Sequence, residues 1–259
     1  MDTLIKYPRT RHLKGSRLQK GDEDLSQIPF SEIFGRHIVI EEKIDGANTA
    51  ISFDPSGRLL LQNRGHYLDG GGKERHYNLL KMWANTHRDI FFRVLGSRYI
   101  MYGEWMYAKH TVFYDALPDY FMEFDIYDRE RGVFLDTASR RSFTERMEVV
   151  HSVPVIGEGV YKKKEPILAL LAHSNYITDS HIETLRRLAE KQGLDADAVC
   201  SETDTSTDME GLYIKVEENG TVVERMKYVR PSFVQAIGET QTHWVDRPII
   251  PNQLARQNY

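Results

Sequence analysis

The sequence predicts an antiparallel α+β fold, on three observations. Short runs rich in aliphatic and β-branched residues recur along the chain, turn signals join several of them, and stretches with apolar residues three and four apart fall between. HIVIEE (37–42), NTAISF (48–53) and GRLLLQ (57–62) read as strands, with Asp54-Pro55-Ser56-Gly57 turning the second into the third. The stretch 77–95, YNLLKMWANTHRDIFFRVL, has the periodicity of one amphipathic helix. RYIMYGEWMY (98–107) and DYFMEFDIYD (119–128) read as strands. Alternation in the second puts Phe121, Glu123 and Asp125 on one face and Met122, Phe124 and Ile126 on the other. Thr137 can cap a helix over 138–149, and Ser180 with Glu183 has the capping-box pattern for a helix over 180–192. GLYIKVE (211–217) and TVVERMKYV (221–229) meet at Glu218-Asn219-Gly220, and Asn-Gly is a strong hairpin signal. Hairpin-linked strands with helices interspersed favour an antiparallel sheet over a parallel, doubly wound one.

At 259 residues the chain has length for one large domain or two small ones, and 41% hydrophobic with 28% charged residues is ordinary globular composition. No run approaches the roughly 18 apolar residues of a membrane span, and the N-terminus lacks the apolar core of a secretory signal. One cysteine, Cys200, excludes an intrachain disulfide and a Cys-based zinc site, so the expectation is a reducing cytoplasm and no membrane partner. A net charge of −4 argues against wholesale coating of nucleic acid. Yet between Asp2 and Asp22 every charged residue is cationic: Lys6, Arg9, Arg11, Lys14, Arg17 and Lys20. This basic N-terminal arm, set at 1–36, could meet a phosphate backbone, although a solvated arm would look the same.

The most informative tetrapeptide is Lys43-Ile44-Asp45-Gly46, at a strand-to-turn junction. A lysine there can serve as a covalent nucleophile at the floor of a cleft, with a glycine that lets phosphate approach the backbone. At an unperturbed pKa near 10.4, about one lysine in a few thousand is neutral at pH 7, so such a site needs other cations, a metal ion or desolvation. Further cations and carboxylates are present. Glu210 opens one strand and Lys215 closes it, while Arg225 and Lys227 lie two apart, hence on one face of the next. Glu104 follows Gly103, Arg64 precedes Gly65, and an aromatic of the 119–128 strand could stack on a purine. The polar outer face of a sheet would read much the same. Asp69-Gly70-Gly71-Gly72-Lys73 fails as a P-loop, because Tyr67 and Glu74 stand where glycine and Ser/Thr are required.

Taken in order, Lys43-Ile44-Asp45-Gly46, Arg64-Gly65, Tyr102-Gly103-Glu104, Phe124-Asp125-Ile126, Glu210 to Lys215 and Arg225-Met226-Lys227 resemble the motif series of the covalent nucleotidyltransferases: DNA ligases, RNA ligases and mRNA capping enzymes. The chain is most similar to the ATP-dependent RNA ligase family, over residues 37 to 230. The resemblance implies a nucleotidyltransferase (adenylyltransferase) fold of antiparallel sheets flanked by helices, with an ATP cleft between sheets, over 37–235, and a tail at 236–259 packed on it. It implies Lys43 as nucleophile for AMP, Phe124 as the adenine-stacking ring, Glu104 on ribose or metal, Glu210 on metal, and Lys215 and Lys227 on the α-phosphate. Glu42, Arg64 and Arg225 complete the implied ATP-binding set, and Mg²⁺ or Mn²⁺ is the implied ion. Its partner would be RNA with 5′-phosphate and 3′-hydroxyl ends, with an end-healing kinase or phosphatase as a further partner. Arg225 departs from the family's usual lysine, and its planar guanidinium is no simple replacement for an ammonium. About thirty residues follow position 230, too few for the OB-fold barrel of DNA ligases and capping enzymes, which favours an RNA ligase over a minimal DNA ligase. A non-catalytic nucleic-acid end-binding protein is the alternative from another class. In the ligase reading Arg9, Arg11, Lys14 and Arg17 supply an RNA-binding surface.

Overall fold

The computed structural model describes residues 4–18, 22, 26–233 and 248–255, and the predicted strands come together in one sheet. Eleven strands are present among the described residues: β1 (Arg11–His12), β2 (His37–Lys43), β3 (Ala47–Phe53), β4 (Leu59–Asn63), β5 (Tyr99–Trp105), β6 (Phe121–Asp128), β7 (Val133–Leu135), β8 (His151–Ser152), β9 (Val155–Val160), β10 (Gly211–Glu218) and β11 (Thr221–Val229). Their order is β4-β3-β5-β6-β7-β11-β10-β2-β9. Pairing is antiparallel along this path, while the two-residue strands β1 and β8 add in parallel to β11 and β6. The β10–β11 turn follows its sequence signal: Asn219 and Gly220 both take positive φ, 53° and 77°, as a two-residue hairpin of matching twist requires.

Short β7 divides the sheet into two wings, each with its own apolar side. The β3–β5–β6 wing buries Ile51, Met101, Ile126 and Phe121 against Leu80, Ala84, Phe91 and Leu95. The β2–β10–β11 wing buries Ile38, Ile40, Leu212, Ile214 and Met226 with Leu13, Ile33 and Ile167. Removing such a side chain from water is worth about 1.5–3 kcal/mol, which orients each wing.

The helices depart from the sequence expectation in instructive ways. The stretch 77–95 forms two helices, α1 (Asn78–Thr86) and α2 (Arg88–Leu95), broken at His87. Asn85 Nδ2 donates to Lys81 O at 2.8 Å and Thr86 Oγ1 to Met82 O at 3.0 Å, so polar side chains compete for the carbonyls of the last turn. α3 (Thr137–Thr144) is capped by Asp136 instead of Thr137: Asp136 Oδ1 accepts from the Ser139 N–H at 2.9 Å, while Thr137 donates its N–H and hydroxyl to Glu217. It stops short of 149 because three-residue turns then bury Met147 and Val150 in the helix-side core. α4 (Glu165–Leu168) and α6 (Ala196–Ser201) are short. Between them, α5 (His181–Lys191) forms without the expected box: the Ser180 hydroxyl meets Thr178 Oγ1 at 3.1 Å and caps nothing.

Both ends of the described chain dock on this body. Tyr7 and Leu13 are buried, and the carbonyl of Ile5 accepts from Gln62 Nε2 at 2.9 Å and Tyr102 Oη at 2.7 Å. Of the expected tail, 248–255 is packed, with Asn252 buried and its amide bridging Met106 O and the Tyr114 N–H. The remainder of that tail and Lys20 lie outside the described residues. Among the described residues no helix is long and apolar enough to cross a membrane.

Candidate active site

The register of β2, β10 and β11 stacks three rows of residues on the face turned from the apolar core: Lys43–Gly211–Val229, Glu41–Tyr213–Lys227 and Val39–Lys215–Arg225. A Cβ at Gly211 would lie 2.0 Å from Tyr228 O, so the position opposite Lys43 must be glycine. From the other wing come Asn48 of β3, Glu104 of β5, Phe124 of β6 and Arg64 just beyond β4. Together they line a cleft of about 370 Å³, within the range of small-ligand sites.

Phe124 reaches this cleft through a β-bulge. Tyr102 pairs with Asp125 and Gly103 with Glu123, leaving Phe124 as the extra residue of β6. Strict alternation therefore fails: Ile126 joins Phe121 in the helix-side core, while Phe124 and Asp125 both turn toward the other wing. Gly103 permits this, since a Cβ there would meet the Phe121 ring at 2.5 Å. Gly46 serves a similar purpose. Its Cβ would collide with Met106 Sδ at 2.6 Å and Trp105 O at 2.8 Å, so in this structure the motif glycine admits β5, not a phosphate.

Lys43 Nζ donates to Glu210 Oε2 at 2.6 Å, with Glu104 and Asp45 also acting on it. Asp45 is fixed by the N–H groups of Thr111 (2.8 Å) and Val112 (3.2 Å). Glu42 is anchored too, accepting from Ser174 Oγ at 2.5 Å and from the Asn175 amide at 2.7 Å. Burial pulls the Lys43 amine toward its neutral form, but Glu210, Asp45 and Glu104 outweigh it and its pKa is raised. Glu210 and Glu104 are each pushed up to about 7 by burial, with Lys43 opposing and Asp45 adding to the rise. The ends of the Lys43–Glu210 pair thus pull in opposite senses, and a 2.6 Å contact among three carboxylates supports the ion pair.

Among the described residues no group of three or more His, Cys, Asp or Glu side chains is arranged to hold a metal. Glu104 and Glu210 are two hard oxygen donors in one cleft, both raised by burial, and a small divalent cation would relieve the cost of their ionised forms. Two protein carboxylates suit an ion whose remaining ligands are substrate phosphate and water, as Mg²⁺ sites usually do.

The family model described as RNA ligase matches residues 36–229, about three quarters of the chain. The chain belongs to the RNA ligase family. No curated protein matches it by sequence. Among solved structures it is similar to the RNA ligase of Naegleria gruberi: a glutamate-to-alanine variant with ATP and Mn at TM-score 0.51 and 16% identity, 78% of this chain covering 52% of that one. A lysine-to-methionine variant of the same ligase with AMP and Mn follows at TM-score 0.50 and 16% identity, with 77% and 51% covered. At this identity the likeness shows the fold alone, and the chain spans about half the length of the structures it matches.

In this RNA ligase family member the expected ATP-binding residues divide by depth. Glu42, Lys43, Arg64, Glu104, Phe124 and Lys227 line the cleft, and Glu210 lies against Lys43. Lys215 and Arg225 do not line it. Lys215 is 1% exposed, its ammonium held by Glu41 at 2.8 Å, Asp125 at 3.3 Å and the carbonyl of Phe124. Arg225 Nε donates to Asp125 at 3.0 Å, with its guanidinium 3.9 Å from the Phe134 ring centroid. Beneath the floor they join a network with Glu41, Glu123, Asp125 and Arg140, whose guanidinium reaches Glu41 at 2.5 Å and Glu123 at 3.7 Å. Arg140 had no sequence signal, since neighbouring Arg141 is identical in type. Asn48 was equally hidden, whereas Glu41 and Tyr213 follow from alternation about Lys43 and Lys215. Of the expected RNA-binding cations, Arg9 lines the cleft, Arg11 lies 3.6 Å from Glu224, Lys14 is exposed, and Arg17 donates to Pro231 O.

Proposed function

We propose that this chain is an ATP-dependent RNA ligase that joins 5′-phosphate and 3′-hydroxyl ends through a lysyl-AMP at Lys43. The observation that supports it is the placement of the Lys43 amine in a nucleotide-sized cleft beside Glu210, with Glu104, Lys227, Arg64 and Phe124 in the same lining. In the first step Lys43 Nζ attacks the α-phosphorus of ATP. The N–P bond forms, the α–β anhydride P–O bond breaks and pyrophosphate leaves. The Lys43 ammonium sheds one proton before attack and its nitrogen a second as the phosphoramidate forms. The first passes to neighbouring Glu210, raised to about 7 by burial, and both go onward to water, which leaves the carboxylate free for a cation. Lys227 and Arg64 offset the growing charge on phosphate, and the Phe124 ring offers a face for adenine. A divalent ion, Mg²⁺ or Mn²⁺, held by Glu104 and Glu210, would supply further charge on the phosphate oxygens and weaken the carboxylate field that keeps Lys43 protonated. In the second step an oxygen of the RNA 5′-phosphate displaces Lys43 from AMP, breaking the P–N bond. In the third a 3′-hydroxyl attacks that 5′-phosphate, AMP leaves and the strand is sealed. Kinase and phosphatase activities that make such ends would act upstream.

Incubation with ATP labelled in its α-phosphate is expected to leave label on the wild-type protein and none on Lys43→Ala; an unlabelled wild type would end the ligase reading. Nicked duplexes carrying RNA or DNA on each side of the break separate RNA ligase from DNA ligase. End binding without label would indicate a non-catalytic end-binding protein.

A further inference from the structure

The N-terminal segment lies outside the region that matches the RNA ligase family, yet it builds part of the cleft. β1 pairs with β11 so that His12 stands beside Lys227, and the Leu13 N–H donates to Lys227 O at 2.9 Å. This places Arg9 and His12 against a cleft lysine. All three converge on one carboxylate: Asp22 Oδ1 takes Arg9 at 3.4 Å, and Oδ2 takes His12 Nε2 at 3.2 Å together with Lys227 Nζ. A carboxylate only accepts, so His12 carries its proton on Nε2 and accepts from the Ser16 hydroxyl through Nδ1, 2.7 Å away. Burial and nearby Lys227 lower the His12 pKa, which keeps it a neutral donor.

Two cations and an N–H converging on one small anion, in the same cleft as Lys43, is the donor set that recognises phosphate. Asp22 reaches this seat from the stretch between Arg17 and Gln27. Both ends of that stretch are pinned: Val229 N–H to Ser16 Oγ at 2.9 Å, Gln27 Nε2 to Ser16 O at 3.1 Å, and Ile28 N–H to His12 O at 2.9 Å. Asp22 is therefore an intramolecular ligand at high effective concentration. A phosphate group offers more acceptor oxygens and up to twice the charge of a carboxylate, so it can compete.

We infer that Arg9, His12 and Lys227 form a phosphate subsite, and that Asp22 is its resident competitor, displaced when substrate phosphate binds. The phosphate comes from the terminal groups of ATP or from the 5′ end of the RNA. The inference rests on the ligase reading for the identity of those substrates, but not for anion binding itself.

Calorimetric titration with inorganic pyrophosphate, and with short RNAs bearing a 5′-phosphate or a 5′-hydroxyl, tests it. If Asp22 fills the seat about nine-tenths of the time, Asp22→Asn tightens binding of the true ligand about tenfold, and adding Arg9→Gln removes the gain. A gain for pyrophosphate assigns the seat to ATP; a gain confined to 5′-phosphorylated RNA assigns it to the acceptor end. Unchanged or weaker binding of both would mean that Asp22 only fastens the segment, and the inference is overturned. Should Asp22→Asn fail to fold, Arg9→Gln alone decides: Arg9 is a partly exposed side chain, and its loss is expected to weaken the same ligand at least fivefold, with no change counting against the seat. Lys43 labelling is followed in parallel. Altered anion binding without label would leave the seat standing and refute only the ligase reading.

Discussion

The cleft lining and the layer beneath it are built from the same residue types, Lys, Arg, Glu and Asp, yet they are held in opposite ways. In the lining, Lys43 and Lys227 are each held by a carboxylate, Glu210 and Asp22, at a wall that opens to solvent, where a substrate anion or a cation can take either place. One row deeper, Lys215 and Arg140 are locked to Glu41, Asp125 and Glu123 with almost no exposure, and half-buried Arg225 is held by Asp125. Depth, not residue type, decides which charges are exchangeable: a buried pair that loses one partner leaves an uncompensated charge, while a pair at the wall can be rescued by water.

The largest expected effect is on the deeper layer. Lys215→Met is expected to destabilise folding by about 3–5 kcal/mol in denaturant titration, because Glu41 and Asp125 lose a buried partner. AMP labelling should fall in proportion to the unfolded fraction. A stable Lys215→Met protein that takes no label would instead put Lys215 on the phosphate and erase the contrast between the layers.

A smaller effect sharpens the same contrast through pH. Glu123 is pushed up to about 7 by burial, against Arg140 and Ser152, so its folded form binds a proton more tightly than the unfolded chain near 4.5. Its contribution then favours folding below pH 4.5 and is lost as pH rises to 7. Asp125, held at about 2 by Arg225, Lys215 and Arg140 in spite of burial, acts with the reverse sign and matters only in acid. Glu123→Gln should therefore remove a decline in stability of about 2.5 kcal/mol between pH 4.5 and 7, read from urea midpoints at several pH values. Identical slopes for the two proteins would show that Glu123 stays ionised.

The smallest stability effect belongs to the rim. Arg64 is exposed at the end of β4, so Arg64→Ala should shift stability by under about 0.5 kcal/mol while raising the KM for ATP in the labelling assay. A large loss of stability with an unchanged KM would move Arg64 out of the lining and into the structural set.

Much of this was legible in the residues. Alternation in HIVIEEK, GLYIKVE and TVVERMKYV fixed which side chains share the cleft face, and Asn219-Gly220 fixed the turn joining the last two strands. The order of the motifs around Lys43 pointed to the family. Periodicity is a property of neighbouring residues, so a single chain reports it. What remained hidden depends on distant pairing. Phe124 turns into the cleft because β5 and β6 slip by one residue at Gly103, Arg140 rather than Arg141 is drawn under the floor by Glu41 and Glu123, and the N-terminal cations face the cleft because β1 pairs with β11. Burial and pairing partners, not local propensity, set those charges in place, and they exist only once strands far apart in sequence lie side by side.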